Sequence, residues 1–205
     1  RLLEGALDIH VHFAPDPKVE RRGGAIEIAQ QARDMGMRGI VFKSHEYLTH
    51  PVAYTAGQAV PGITLIGGVA LDVQVGGLNP MAVECSAAMG GRLVWMPTFS
   101  ARADHERRGL NGGISILDER GRLVPEAYAV LEVVKAHDLV LATGHLSTAE
   151  SMVLVAEARN LGIGRIVVTH ATTMSFWTGM TVDDMKALAA MGAYIVLAFV
   201  AGQFV

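Results

Sequence analysis

The 205-residue chain has one cysteine, Cys85, so no internal disulfide can form and the fold must be held by packing. In its apolar, helix-like surroundings Cys85 reads as a buried small side chain, and so sparing a use of cysteine suits a reducing, cytoplasmic setting. Basic charge is also scarce. Lys and Arg number 17 against 20 Asp and Glu, a net charge of −3, and they adjoin only at Arg21-Arg22 and Arg107-Arg108. That distribution lacks the footprint of a nucleic-acid binder. No apolar run reaches the roughly 20 residues of a membrane-spanning helix, and the most apolar stretch, Ala193 to Val200 and on to Val205, reads as a buried strand. The opening Arg1-Leu2-Leu3-Glu4-Gly5 has neither the basic and apolar regions of a signal peptide nor an initiator Met. It reads as a chain that has lost residues from its front.

What the chain has is apolar bulk, 51% of its residues, enough for one domain and too little for two. Short β-branched runs alternate with Ala-rich, helix-length segments, the mark of βα units on a parallel sheet. Expected strands are Leu7–His12, Gly39–Lys43, Ile63–Leu71, Leu93–Met96, Leu139–Ala142, Ile166–Thr169 and Ala193–Val200. Expected helical segments are Ala25–Met35, Val52–Ala59, Pro80–Met89, Pro125–His137, Ala149–Leu161 and Val182–Met191. Asn79 and Pro80 are suited to cap and open the third of these. Between the fourth strand and its helix lies a polar insertion, residues 100–124, in which Gly113–Leu117 and Arg122–Val124 flank Asp118–Gly121 like a small hairpin. It reads as a solvated loop or a lid. The pattern fits a (β/α)8 TIM-type barrel, one domain over residues 1–205, whose last βα unit is missing at the carboxyl end. A doubly wound sheet competes, but the first strand runs into histidines where a dinucleotide-binding Gly fingerprint would stand.

Those histidines carry the chemistry. In Asp8-Ile9-His10-Val11-His12 strand alternation puts Asp8, His10 and His12 on one face and Leu7, Ile9 and Val11 on the other. Two later strands also end in histidine, at Thr143-Gly144-His145 and Thr169-His170. If the strands form as read, four of the eight histidines point into one barrel mouth, where such folds keep their active sites. Imidazole is the commonest protein ligand of zinc and related ions, so one or two divalent ions are expected, zinc first, with manganese, iron or cobalt as alternatives. Asp8, one pleat deeper, is placed to orient a ligating imidazole. Lys43, at the end of the second strand, is a ligand candidate if desolvation frees its amine to form a carbamate with carbon dioxide. Otherwise it is a cation for a substrate carboxylate or phosphate, or a surface lysine. His45 is a further ligand, a proton shuttle or a polar rim residue. Asp72, after the third strand, is a substitute for an absent general base. Trp95 and Thr98 at the fourth strand's end, and Phe176 and Trp177 after the sixth, are candidates to meet substrate, the last two equally to pack a helix or a subunit contact. Gly76-Gly77-Leu78-Asn79-Pro80 forms a tight loop at the mouth.

The Asp-x-His-x-His of the first strand with the Thr-Gly-His and Thr-His strand ends resembles the amidohydrolase superfamily. Leu2-Leu3-Glu4-Gly5, Val41-Phe42-Lys43-Ser44-His45, Val94-Trp95-Met96-Pro97-Thr98 and Ala142–Ser147 extend this to a closer resemblance, over nearly the whole chain, to the amidohydrolase-like family DUF6282. The resemblance implies a metal-dependent hydrolase that turns metal-activated water on an amide, lactam, lactone or related ester of a small molecule. It departs at two points: no acidic residue ends the fourth strand, and the chain stops before the eighth strand, which supplies the superfamily's proton-accepting carboxylate. A mononuclear lyase or decarboxylase, and a non-catalytic metal- or ligand-binding barrel, are the competing readings. The expected partner is a small-molecule substrate, with no nucleic acid and no membrane, and with homo-oligomerisation an open possibility.

Overall fold

The computed structural model describes residues 2–172 and 180–198. Strands β1 (Leu7–His12), β2 (Gly39–Lys43), β3 (Thr64–Ile66), β4 (Gly68–Ala70), β5 (Leu93–Trp95), β6 (Val140–Ala142), β7 (Ile166–Val168) and β8 (Tyr194–Ile195) are joined by helices. These are α1 (Ala25–Asp34), α2 (His50–Ala59), α3 (Pro80–Ala88), α4 (Arg102–Arg107), α5 (Pro125–Ala136), α6 (Thr148–Asn160) and α7 (Val182–Ala190). Every strand pairing is parallel, in the orders β1-β2-β3 and β4-β5-β6-β7-β8. The alternation read from sequence is thus realised as a parallel α/β fold. No helix among the described residues is long and apolar enough to cross a membrane.

The third strand differs from its expected form. One run from Ile63 to Leu71 becomes two short strands hinged at Gly67, the first pairing with β2 and the second with β5. A Cβ at Gly67 would stand 2.3 Å from the His50 backbone nitrogen, so only glycine lets α2 begin against this bend. The sheet turns there, and its concave face is packed by Val41, Ala70, Leu93, Trp95, Ala142 and Val167, with Ile9 and Ile66 alongside. Alternate residues point outward. Val69, Val94, Leu141 and Val168 meet Val130, Leu131 and Leu154 of the covering helices, and Ile40 and Phe42 meet Ala29, Ala53 and Ala56. An inner layer under an outer helix ring is barrel-like packing. Among the described residues no pairing joins β3 to β4 or β8 to β1, so the strands form two parallel sheets rather than a closed barrel.

Three more expectations are corrected. Only Tyr194–Ile195 of the expected last strand is extended and paired, and its residues 199–200 lie outside the described residues. The hairpin shrinks to a single antiparallel bridge, Leu117 to Leu123, while the same polar insertion holds α4, which the loop reading lacked. Cys85 is exposed, because α3 turns Val83 and Ser86 to the core and leaves Cys85 off that stripe.

Candidate active site at the carboxyl ends of the strands

β1 carries a bulge: Asp8 pairs with Ile40 and Val11 with Phe42, so three steps on β1 oppose two on β2. The extra residue breaks strict alternation. Ile9 packs on the inner face and Val11 on the outer, which corrects the expectation that both face the helices. Asp8 is exposed, and its carboxylate accepts the backbone N–H of His10 at 3.0 Å. It bonds the main chain of the cluster where an imidazole partner was expected.

His10 and His12 converge, with their Nε2 atoms 3.2 Å apart. Ring centroids step around the mouth from His10 to His170 at 4.6 Å, from His170 to His145 at 5.7 Å, and from His12 to His45 at 4.8 Å. The four strand-end histidines and His45 are therefore neighbours. His145 arrives through a turn that demands glycine: Gly144 has φ +64°, and a Cβ there would lie 2.2 Å from the Met96 carbonyl oxygen. The His145 N–H donates to the Pro97 carbonyl at 2.9 Å. His170 has φ +53°, in the left-handed region that histidine enters more readily than most side chains.

Lys43 lies under these rings, 1% exposed. Its Nζ has no hydrogen-bond partner and sits 5.4 Å from the centre of the buried Trp95 ring. Trp95 is also 5.9 Å from His10, ring to ring, and so forms the floor of the site. Burial, only partly opposed by Asp72, brings the Lys43 amine down to about 7. Burial and the Lys43 charge hold His10 and His12 well below the ordinary imidazole range and His170 at about 2. These imidazoles are neutral at neutral pH, the state in which they can ligate a metal.

Two carboxylates stand behind the histidines. Asp72, 0% exposed, accepts the backbone N–H groups of Thr98 at 2.9 Å and Ser100 at 2.8 Å, and also the Thr98 hydroxyl. Thr98 Oγ1 in turn accepts from His45 Nδ1 at 2.5 Å. Burial alone would raise the Asp72 carboxyl, but the hydrogen bonds it accepts hold it well below the usual range. Asp72 is thus linked through Thr98 to His45, and the Thr98 hydroxyl, a candidate to meet substrate, lies buried between the two. The chain of donors places the proton of His45 on Nδ1 and leaves Nε2 as its acceptor. Burial lowers His45 to about 4.

Sequence reasoning missed two residues. Asp104, on α4, lies 3.3 Å from His145 Nδ1, with Arg107 and Arg108 at 3.3 and 2.5 Å from its oxygens. Arginines at i+3 and i+4 from an aspartate are a helix pairing legible in the sequence. Phe99 stacks on His45 at 4.1 Å and meets His145 edge-on at 5.6 Å. Phe176 and Trp177 lie outside the described residues.

Among the described residues no set of three or more His, Cys, Asp or Glu side chains is already drawn around one point. The fit to a metal rests on the closest pair. Two nitrogens bonded at about 2.0–2.1 Å to one tetrahedral ion stand roughly 3.3 Å apart, close to the separation of His10 and His12. The unpartnered, buried Nδ1 of His12 and Nζ of Lys43 beside them mark a polar centre unsatisfied by protein groups.

The sequence model of DUF6282, a family of unknown function, matches residues 5–196. No curated protein matches the sequence. Among solved structures, a mandelate racemase/muconate lactonizing enzyme from a marine actinobacterium superposes with a TM-score of 0.52 at 15% identity, covering 96% of this chain and 50% of that one. A deoxyribose phosphate aldolase from Aeropyrum pernix gives a TM-score of 0.42 at 12% identity, over 98% and 88% of the two chains. The first likeness is one of fold, TIM-barrel-like, and the chain spans half the length of that enzyme.

Proposed function

The chain belongs to DUF6282, a family of unknown function, and from the site its strand ends build we propose that it is a metal-dependent hydrolase of amidohydrolase type. The observation that carries this reading is the pair of imidazole nitrogens 3.2 Å apart, on neutral rings beside two further histidines, above a buried lysine with no partner. His10 and His12 would hold the ion, with His145 and His170 as the remaining imidazole ligands. A divalent ion there supplies a Lewis acid for a carbonyl or phosphoryl oxygen and lowers the pKa of water toward about 7.

The other residues follow from their bonds. His45, its Nδ1–H committed to Thr98, takes the proton of the attacking water at Nε2 and returns it to the leaving group. Asp72 fixes that tautomer through Thr98. Lys43 is the candidate fifth ligand: its neutral amine adds to carbon dioxide, forming an N–C bond and releasing a proton, and the carbamate supplies the anion that the imidazoles lack. Phe99 and Trp95 wall and floor the site and exclude water from it. The substrate is a small molecule with an amide, lactam, lactone or related ester bond.

One observation favours a second reading. A pair of imidazole nitrogens at a distance that one ion would span also suits a mononuclear lyase such as a decarboxylase. A panel of small amides, lactams, lactones, esters and carboxylates, offered to zinc- or manganese-reconstituted protein and to His12→Ala, separates the two. Hydrolysis lost in the variant supports the proposal. Carbon dioxide release without hydrolysis replaces it with the lyase, and turnover unchanged in His12→Ala overturns both.

A further inference from the structure

The insertion after β5 folds back on itself through backbone bonds and is tied to α6. At its start the Ile114 N–H donates to the Ser100 carbonyl at 2.7 Å and the Arg102 N–H to the Ile114 carbonyl at 2.8 Å. Farther on, the buried Glu150 of α6 accepts from Ser115 Oγ at 2.9 Å and from the Ile116 N–H at 3.2 Å, and the Val124 N–H donates to the Ile116 carbonyl at 2.9 Å. Arg108 pins α4 from outside by donating to the Phe99 carbonyl at 2.6 Å. A solvated loop would not carry so many fixed backbone bonds. What the fastening delivers into the interior is Asp104, whose side chain is 2% exposed and meets His145, 3% exposed, at Nδ1.

We infer that Asp104 is the positioning residue of His145, and that the insertion exists in part to deliver this carboxylate. The inference rests on the proposed metal site. An imidazole has two nitrogens, and the one that keeps its hydrogen decides which is offered to an ion. Asp104 accepts from Nδ1 and so leaves the Nε2 lone pair for the mouth, while setting the ring plane and raising the basicity of the ring. Carboxylates behind a ligating histidine commonly contribute 10- to 100-fold in metal affinity. Arg107 and Arg108 pair with the Asp104 carboxylate at 3.3 and 2.5 Å. His145 therefore faces a fixed anion instead of water.

Zinc affinity, measured by competition with a chelating dye, tests the assignment together with the His145 tautomer read by nitrogen NMR on the metal-free protein. Asp104→Ala should weaken zinc binding about 10- to 100-fold and abolish the Nδ1–H preference of His145. Asp104→Asn keeps the size and an accepting oxygen, and should fall between Asp104→Ala and wild type. Glu106→Ala, exposed on the same helix, should match wild type in both readouts. Wild-type affinity and an unchanged His145 tautomer in both Asp104 variants would overturn the inference. If the wild-type protein binds no zinc, the proposed function fails by itself, and the tautomer in metal-free Asp104→Ala still decides the positioning role.

Discussion

At the scale of single residues, the site is organised by which nitrogen of each histidine is occupied from behind. Thr98 holds His45 and Asp104 meets His145, both at Nδ1, while His10 and His12 turn Nε2 toward each other. The carboxylate behind His45 has a thermodynamic signature. Asp72 has a depressed folded-state pKa, so the stability it contributes is fully present above the unfolded value, about 3.9, and is lost as pH falls through the folded value. Asp72→Asn should therefore cost roughly 1.5–3 kcal/mol at neutral pH, the worth of a hydrogen bond to a charged group. The gap in melting temperature from wild type should narrow below about pH 4. A gap constant from pH 7 to the acid limit of folding would show that the charge of Asp72 contributes nothing. Residue chemistry of this kind was partly legible: His10, His12, His145, His170, Lys43, His45 and Asp72 are each singled out by type and by position at a strand end. Asp104 and Phe99 were not, because the arginines at i+3 and i+4 from Asp104 mark a helical turn but a polar insertion has no apolar period to say where it folds back.

At the scale of elements, the positions of chain reversal and close approach decide where these side chains land. The runs that became β1, β2, β5, β6 and β7 were legible because each is a short apolar segment bounded by turn residues, and Asn79 caps α3 as its place before Pro80 foretold, accepting from the Met81 and Ala82 N–H groups. Two details were not legible. A bulge is one extra residue with no composition of its own, so strict alternation puts Ile9 on the wrong face. Gly67 inside an apolar run looked like part of a strand, whereas it is the hinge between β3 and β4. Gly144 gives the sharpest test at this scale. Its φ is +64°, and a Cβ would strike the carbonyl oxygens of Met96 and Pro97 at 2.2 and 2.6 Å. These are main-chain atoms that cannot step aside as a side-chain tip does. Gly144→Ala should destabilise the protein by more than about 2 kcal/mol, combining backbone strain with the displaced β5 end, and should displace His145. Denaturant unfolding that matches wild type would show that the turn is not under this constraint.

At the scale of the whole molecule, the fold is a pair of parallel sheets with a packed inner face and helices outside, and the carboxyl ends of its strands collect five imidazoles and a lysine within a few ring widths. A protein interior has little reason to gather so many titratable groups without an ion among them, and burial keeps the imidazoles uncharged. The resolution we propose is a divalent metal, to which the mechanistic steps proposed for this chain are tied. The most direct test is bound metal per chain in the purified protein, measured by elemental analysis after reconstitution beside His10→Ala. The account predicts one or two equivalents in wild type and a loss of most of that metal in the variant. No metal in wild type after reconstitution, or an unchanged content in His10→Ala, would contradict it.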